Sequence, residues 1–535
     1  MTVKYVFNQY GVFCFESLAI NQKENQMAID FTLTSDQRRL QRNAREFAID
    51  ILQPLVRQAD EMHDPQKAFE AMKPAYIECY KLGFATGFLP RKYGGGGISN
   101  VDLQVVVEEI ASVDPGFGTV LLVNGLALMP LVWFGSEDQK RRWIGEATSD
   151  PRGEYLAAWT ISEAAGTPGG TANFDSEYGA PAGIGLVAKH DKGRGEYILN
   201  GSKYWPCNAG GWDLAGANIN VCIVRTDPLK GGKTGLSAII VPRGTPGVTY
   251  HEPISKIGHR LCQNNYMVFE DCRVPEENAF AIGDGDLVIS KAFTWSGPVA
   301  AIAAVGVARS AYEYILKWSK TYTAGGGTPI INHQAVGYLM AEVAMKIEAC
   351  RAFAWKAAHY LDLHDAEGHA VAAMAKVHCG ETLFEAVFRA MQAMGVNALD
   401  KAHPVEKFLR ESLVFPLYDA GNIGMQMRKI WGVMKDSEFD PRAIADCRPI
   451  RFDKSMEGAG TWISNESTSA LSRQSATNLD RCKFTKADIP EVITTGRESS
   501  KCAGGDVATP RAALAKKRKT RQSAGDRNRI GEKNK

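Results

Sequence analysis

The sequence has little of what marks several classes of protein. Its 11 cysteines include no C-x-x-C pair, which argues against a zinc site or a disulfide framework and favours free thiols. The formal net charge is only +2, so no polyanion such as nucleic acid is expected as a partner. No apolar run stands out as long enough to cross a bilayer, so no membrane partner is expected.

Both ends of the chain are poor in targeting signals. Residues 1–27 contain no arginine and do not fit a signal or transit peptide, which predicts a disordered extension. Residues 445–535 have no hydrophobic periodicity and include the basic run AKKRKTR, which predicts a disordered basic tail. A nuclear address or a nucleic-acid patch is the less favoured interpretation of that run. The final residues are not a Ser-Lys-Leu peroxisomal address. We expect an intracellular, cytoplasmic protein, and the mitochondrion and the peroxisome stay open as locations.

Between these ends the hydrophobic pattern changes twice. Residues 28–150 open with a capping box at 34–37 (TSDQ) and continue at helical spacing, which predicts an N-terminal helical domain. Residues 151–280 contain short apolar runs separated by turn residues. The Asn200-Gly201 pair between two such runs is typical of a hairpin. This region is predicted to be a central antiparallel β-barrel or sandwich.

Residues 285–436 return to helical spacing. One apolar stripe consists of Leu383, Val387, Met391 and Met394, and Gly395 follows where a C-terminal cap is expected. This pattern predicts a C-terminal four-helix bundle. The fold class is therefore α+β, with helices on both sides of a β domain.

A single carboxylate stands in the otherwise uncharged stretch 416–424 (PLYDAGNIG). If Asp419 is short of water and of cations, its pKa is raised, as suits a base that removes a proton from carbon. For this stretch alone, a cap on a helix beginning near Asn422 is the simpler interpretation. Other segments change that balance.

Four segments carry a resemblance to a known family. They are 160–166 (TISEAAG), 199–210 (LNGSKYWPCNAG), 256–275 (ending FEDCRVP) and 403–410 (HPVEKFLR). In this order they resemble the acyl-CoA dehydrogenase superfamily over about residues 28–436. The resemblance implies that family's fold, FAD as cofactor, and a homotetramer in which a neighbouring subunit supplies some cofactor contacts.

Two chemically decisive positions are most similar to the nitroalkane oxidase branch of that superfamily. Acyl-CoA dehydrogenases usually have Glu where this chain has Asp419 and Arg where it has Ser296, whereas nitroalkane oxidases have Asp and Ser. The segment 205–213 (WPCNAGGWD) resembles the same branch. The resemblance implies that Asp419 takes the substrate's α-proton, that Ser296 donates a hydrogen bond to the base or substrate, and that electrons pass to FAD and oxygen. A nitroalkane would give an aldehyde or ketone and nitrite.

The resemblance also implies the FAD contacts. Those in the β domain are Trp159, Ser162, Thr171, Trp205 and Cys207. Those in the bundle are His333, Gln334, Gln392, Gly395, Gly421, Asn422 and Ile423. Plainer interpretations stay open: the tryptophans as core aromatics, Cys207 as a small buried thiol, and Ser296 as the cap of a helix starting near Pro298.

Three positions depart from the family pattern. Cys207 replaces a hydroxyl residue, and a thiol is a weaker donor. Ala324 replaces an Arg that grips the FAD pyrophosphate, which lowers the expected FAD affinity. Gln426 replaces an Arg that is paired with the Asp in nitroalkane oxidases. Without that cation the pKa of Asp419 should be higher, and a hydrogen bond from Gln426 remains available to hold its side chain.

Two other functions stay open from the sequence. One is an acyl-CoA dehydrogenase that oxidises the CH–CH bond of an acyl thioester. The other is a non-catalytic scaffold without flavin. The small-molecule substrate is accordingly a nitroalkane or an acyl-CoA.

Overall fold

The computed structural model describes residues 31–164, 184–230, 235–324 and 326–450, together with the short strands β1 (Phe7–Asn8) and β2 (Gly11–Val12). The rest of the predicted extension, the predicted cofactor contact Thr171, and residues 451–535 of the predicted tail lie outside these ranges. The boundaries 28–150, 151–280 and 285–436 stay predictions.

Helices fill the N-terminal part of the chain. The predicted capping box is confirmed, since the Gln37 N–H donates to Thr34 Oγ1 (3.2 Å) and the Thr34 N–H donates to Gln37 Oε1 (3.0 Å). The helices are α1 (Ser35–Glu46), α2 (Gln53–Ala59), α3 (Pro65–Glu70), α4 (Lys73–Lys81), α5 (Asn100–Val113), α6 (Pro115–Phe134), α7 (Glu137–Gln139) and α8 (Gly145–Thr148). Wider helical turns at Phe47–Leu52 and Lys140–Ile144 join α1 to α2 and α7 to α8.

Two helices correct an expectation about apolar runs. By length and composition, α6 and the later helix α9 (Gly285–Ser319) are both long and apolar enough to cross a bilayer. The expectation that no apolar run is long enough to cross a bilayer is therefore wrong. Their most apolar windows are 78% and 67% buried inside the protein, however, as in the core helices of a globular fold.

One eight-stranded sheet forms the central part. Its strands are β3 (Ala157–Thr160), β4 (Val187–Asp191), β5 (Glu196–Cys207), β6 (Ile219–Arg225), β7 (Leu236–Pro242), β8 (Val248–Tyr250), β9 (Asn264–Pro275) and β10 (Ala279–Phe280). The pairing order is β10–β7–β6–β4–β5–β9–β8, with β3 added beside β6. The sheet is antiparallel as predicted except at β6, which is parallel to both β3 and β4.

The predicted hairpin at Asn200-Gly201 is wrong. Strand β5 runs through both residues, and its pairing with β9 shifts register between Leu199 and Gly201. Gly201 has a φ of +139°, and a Cβ there would lie 2.9 Å from Leu186 Cα. The glycine therefore serves a bulge and a close approach of two backbones, which gives the same local sequence signal as a tight turn.

The C-terminal part is helical, as predicted. Its helices are α9, α10 (Gln334–His364), α11 (His369–Met394), α12 (Val405–Ser412), α13 (Met427–Met434) and α14 (Arg442–Ala445). Gly395 ends α11 with a φ of +58°, which confirms the predicted cap. The predicted helix start near Pro298 is wrong, because Pro298 and Ser296 both lie inside α9. There α9 is buried among its neighbours, so packing offsets the one backbone bond that proline removes.

Candidate active site

A turn of three successive left-handed residues carries the predicted base. The φ angles of Asp419, Ala420 and Gly421 are +51°, +70° and +61°. Glycine adopts this conformation freely, whereas each non-glycine residue in it costs about 1–3 kcal/mol. Such a conformation persists only where the surrounding structure holds it.

Two buried side chains hold this turn by its carbonyl groups. Lys376 Nζ donates to Tyr418 O (2.8 Å) and to Asn422 Oδ1 (2.7 Å). Gln426 Nε2 donates to Asp419 O (3.2 Å). The expected bond from Gln426 to the carboxylate is therefore wrong, since its amide satisfies the backbone instead. The interpretation of Asp419 as a helix cap is also wrong, because Ala420 precedes the next helical turn and no side chain caps it.

The two carboxylate oxygens of Asp419 have different surroundings. Ser296, fully buried in α9, donates from Oγ to Oδ1 at 2.7 Å. The other oxygen, Oδ2, is buried and has no hydrogen-bond partner among the described residues. Burial raises the pKa of Asp419, and the charge of Lys376, the bond from Ser296 and the charge of Lys429 oppose that rise. A fixed carboxylate with a raised pKa and one uncommitted oxygen is suited to general-base catalysis.

Two lysines supply the cation that position 426 lacks. Lys376 lies on α11 and Lys429 on α13, and both are buried. Burial lowers the pKa of each to about 8. Lys429 Nζ donates to Ser290 O (3.0 Å) and Thr294 Oγ1 (3.4 Å) of α9. The expectation that Asp419 has no cationic neighbour is thus wrong, although burial still raises its pKa as predicted.

The end of β5 forms the second wall of the candidate site; the first wall is the turn that carries Asp419. Trp205 has a φ of +78° at a bulge, where the pairing of β5 with β9 shifts register between Tyr204 and Cys207. Asn264 Nδ2 donates to Trp205 O (2.6 Å), and Trp205 is 40% exposed. A bulge redirects side chains from their normal alternation, and here it leaves a large aromatic residue partly uncovered.

Trp159 and Ser162 lie beside this wall. The Trp159 ring meets Phe293 of α9 edge to face at 6.4 Å, and its Nε1 is buried without a partner among the described residues. Ser162 O accepts a bond from the Tyr204 N–H (2.8 Å). A buried indole N–H without an acceptor and an uncovered Trp205 both fit a bound aromatic group that accepts hydrogen bonds. The residues present therefore fit a flavin.

Cys207 connects the two walls. Its Sγ lies 3.3 Å from Cys262 Sγ, and the Cys262 N–H donates to His259 O (3.2 Å). The His259 ring packs edge to face on Tyr418 at 5.1 Å between centroids. Burial lowers the pKa of His259 to about 3, so this histidine is neutral. The segment 259–262 thus links the bulge of β5 to the turn before Asp419.

Comparison with known proteins gives this arrangement a family. Models of the acyl-CoA dehydrogenase N-terminal, middle and C-terminal domains match residues 34–150, 179–272 and 283–434. A nitroalkane oxidase of Podospora anserina is 30% identical over 433 residues, which are 77% of this chain and 98% of the relative. The chain belongs to the acyl-CoA dehydrogenase family. The enzymes of this family are FAD-dependent oxidoreductases, and that class and cofactor follow from the membership.

Solved structures of the family share the fold. A nitroalkane oxidase whose active-site aspartate is replaced by asparagine, crystallised with 1-nitrooctane, is 27% identical with a TM-score of 0.73. That alignment covers 78% of this chain and 99% of the other. Butyryl-CoA dehydrogenase of Megasphaera elsdenii is 26% identical with a TM-score of 0.67, over 76% of this chain and 100% of the other. Both branches considered from the sequence are therefore structural neighbours.

The remaining predicted cofactor residues do not join the site within one chain. His333, Gln334, Gln392 and Gly395 are exposed, and all lie at one end of the antiparallel pair α10–α11. Gln392 lies about 24 Å along α11 from Lys376. Ile423 is 82% exposed next to the turn, and the exposed Ala324 has a φ of +47°.

Asn422 lies at the turn, but its side chain is used inside the chain. The amide accepts from Lys376, as described, and donates to Glu381 Oε1 (3.1 Å) and Val377 O (3.4 Å). The residue is 1% exposed. The Asn422 side chain therefore supports the position of Lys376, and Gly421 supplies the backbone conformation that ends the strained turn.

The sequence interpretation missed four residues of the site. They are Lys376, Lys429, His259 and Cys262. A signal existed for Lys376, which lies seven residues before Leu383 on the same apolar stripe of α11, where a lysine is out of place. Lys429 lies four residues before the buried Val433 on α13. His259 and Cys262 lie in an irregular segment, and only the fold brings them to the turn.

Proposed function

We propose that this member of the acyl-CoA dehydrogenase family is a nitroalkane oxidase. Asp419 Oδ2 removes the proton from the carbon that bears the nitro group, while Ser296 fixes Oδ1 at 2.7 Å. The observation that carries the proposal is this asymmetry, because one oxygen is positioned by a donor and the other is buried with no partner among the described residues. Bound FAD would supply the acceptor for the electron pair left on carbon, and with oxygen and water as co-reactants the products would be an aldehyde or ketone, nitrite and hydrogen peroxide.

The charges around Asp419 suit a neutral substrate. The charges of Lys376 and Lys429 oppose the rise in its pKa that burial causes, which favours the carboxylate form that can accept a proton from a neutral nitroalkane. The buried surroundings exclude water from Oδ2 and preserve its basicity. As the carboxylate takes up the proton, the nearby lysine charges favour the negative charge that develops on the nitro group.

The cofactor contacts are part of the same proposal. Trp159, Ser162, Trp205 and Cys207 line one face of the flavin, and the exposed ends of α10 and α11 contribute to a neighbouring subunit's cofactor in a homotetramer. Large apolar side chains exposed on α10, α11, α13 and the adjoining turns support such an assembly. They are Tyr338, Met345, Phe384, Phe388, Val396, Leu399, Ile423, Trp431 and Met434. Light scattering that gives a monomer mass for the FAD-loaded protein would exclude the assembly.

We also propose an intracellular location. The eight cysteines among the described residues are free thiols, as is usual in a reducing compartment. Fractionation of cells that carry the tagged full-length chain tests this. Recovery in the culture medium would contradict it.

Anaerobic mixing tests the reaction. The purified FAD-loaded protein is mixed with neutral nitroethane and, separately, with an acyl-CoA series, and the flavin absorbance is followed. Bleaching by nitroethane, with nitrite and acetaldehyde after oxygen is admitted, is the expected result. Bleaching by an acyl-CoA alone would assign the protein to the dehydrogenases, and no bleaching by either would refute the proposed activity. The Asp419→Asn variant, loaded with the same amount of FAD, is the matched control.

A further inference from the structure

Two thiols and one ammonium group meet at the end of β5. Cys207 Sγ lies 3.3 Å from Cys262 Sγ, and Lys256 Nζ lies 3.4 Å from Cys262 Sγ. The two cysteines are 6% and 3% exposed, whereas Lys256 is half-buried. A lysine beside a thiol lowers the pKa of that thiol and favours the nucleophilic thiolate. The proposed proton abstraction uses neither Cys262 nor Lys256.

The two sulfurs have different protonation tendencies. The hydrogen bond from Cys207 and the charge of Lys256 lower the pKa of Cys262 to about 7, against burial and the charge of Asp114. Burial raises the pKa of the Cys207 thiol, which therefore keeps its proton and donates to Cys262. Tyr418, which faces Cys262, is neutral because burial raises its pKa. One sulfur is thus prepared to attack, and the other remains a thiol beside it.

We propose that Cys207 and Cys262 form a peroxide-oxidisable dithiol, in which Cys262 attacks, Cys207 resolves, and a disulfide forms at the flavin-facing end of β5. The Cys262 thiolate attacks one oxygen of a hydroperoxide, the O–O bond breaks, and hydroxide leaves, which gives a sulfenic acid. The Cys207 sulfur then attacks that sulfur, the S–O bond breaks, and water leaves with the thiol proton. Two thiols lose two electrons, and hydrogen peroxide is reduced to two waters.

The geometry favours closure of this pair. A disulfide bond is about 2.05 Å long, so the sulfurs need to approach by roughly 1.3 Å. Cys207 ends β5 opposite Asn264, two residues after Cys262, and the Asn208 N–H donates to Gln263 O (3.2 Å). The two backbones are therefore already held side by side. If the proposed oxidase activity is right, the enzyme itself releases the hydrogen peroxide that oxidises the dithiol. The dithiol proposal rests on the contacts above, however, so added peroxide should oxidise the pair even if the proposed substrate is wrong.

A second thiol pair gives an internal control. Cys379 Sγ donates to the backbone carbonyl of Cys350 at 3.4 Å, and both residues are fully buried between α10 and α11. The hydrogen bond from Cys379 and the charge of Lys346 lower the pKa of Cys350 as well, so this pair resembles the first pair in its protonation. No lysine nitrogen bonds to either sulfur among the described residues, and both cysteines are 0% exposed. Because peroxide has no access to this enclosed pair, we expect Cys350 and Cys379 to stay reduced under conditions that oxidise Cys207 and Cys262.

Mass spectrometry on the FAD-loaded protein tests the proposal without any measurement of turnover. The reduced protein is treated with one equivalent of hydrogen peroxide, and the remaining thiols are alkylated. Trypsin followed by a protease specific for acidic residues separates Cys262 from Cys272 at Glu270 and Cys207 from Cys222 at Asp213. We expect a Cys207–Cys262 disulfide that dithiothreitol reverses, with Cys350 and Cys379 alkylated. An irreversibly oxidised Cys262 beside an alkylated Cys207, equal oxidation of both pairs, or no oxidation would overturn it.

Variants resolve the two roles. Cys207→Ser should leave a sulfenic acid on Cys262 that dimedone traps, whereas Cys262→Ser should leave Cys207 unmodified. Lys256→Gln should raise the pH midpoint of Cys262 alkylation and slow sulfenic acid formation roughly tenfold, and Lys256→Arg should restore both. If Lys256 acted only in folding, Lys256→Gln would leave the pH midpoint of Cys262 alkylation unchanged, and Lys256→Arg would have no shift to restore. Dimedone labelling of Cys207 in the Cys262→Ser variant would refute the assigned order of attack.

Discussion

The base side and the flavin side of this site differ in how completely one chain builds them. On the base side, Ser296, Lys376 and Gln426 bind the Asp419 carboxylate or the carbonyls of its turn. On the flavin side, Trp205 is partly uncovered and Trp159 Nε1 has no partner among the described residues. The helical domain thus encloses a reactive carboxylate without help, whereas the β domain presents a surface that a cofactor completes.

The largest effect is expected from a variant that disables only the base side of the site. Asp419→Asn removes the group that accepts the proton, so turnover with nitroethane should fall about 10²–10⁴-fold. FAD content should stay unchanged, because the proposed flavin contacts of β3 and β5 are intact. Stopped-flow reduction and flavin absorbance measure the two quantities. The matched control is Asp138→Asn on the exposed face of α7, and turnover retained by Asp419→Asn would refute the assignment of the base.

Ser296→Ala tests how the base is held. Loss of a hydrogen bond to a charged group costs about 1.5–3 kcal/mol, so kcat/KM should fall roughly ten- to a hundredfold. Because the bond from Ser296 lowers the pKa of Asp419, its removal raises that pKa. The base acts only when deprotonated, so the acid limb of the pH profile should move to higher pH. Ser310→Ala, in the same helix with its Oγ bonded to Ser112 O, should leave the profile in place.

Lys376→Met tests the two roles assigned to a buried cation. The charge of Lys376 lowers the pKa of Asp419, so the acid limb should again move to higher pH. Tyr418 O and Asn422 Oδ1 lose their donor, so the free energy of unfolding should fall by about 1–3 kcal/mol. Urea unfolding measures this loss. Lys346→Met removes two partly exposed ion pairs, one to Glu342 on α10 and one to Glu385 on α11, and it should cost less and leave the pH profile unchanged.

The smallest effect is expected from a variant that changes only the flavin side of the site. Cys207→Ser restores the hydroxyl that the family usually has, and a hydroxyl is a stronger donor than a thiol. The dissociation constant of FAD should fall about two- to tenfold, while the acid limb that reports Asp419 stays in place. Titration of the apoprotein with FAD measures the affinity. Cys447→Ser, at a half-buried cysteine near the end of the described residues, is the control. A shift of the acid limb in Cys207→Ser would show that the base side and the flavin side are coupled.

Local sequence was sufficient for much of the fold. Residues 34–37 specify a helix start through neighbouring side chains, and Gly395 specifies a helix end through its own backbone freedom. The Asn200-Gly201 pair misled because a bulge and a tight turn both need a glycine, and only the partner strand decides between them. Pro298 misled because a local rule about helix interiors does not include the packing around α9.

The sequence by itself determined the order of helical and β domains, the family, and the candidate base Asp419, because periodicity and motif residues are local properties. Only the tertiary structure decided what surrounds that base. Ser296 lies 123 residues before Asp419, and Lys376 lies 43 residues before it on another helix. A pKa depends on burial and on charges within a few ångströms, and folding brings those charges together from distant parts of the chain.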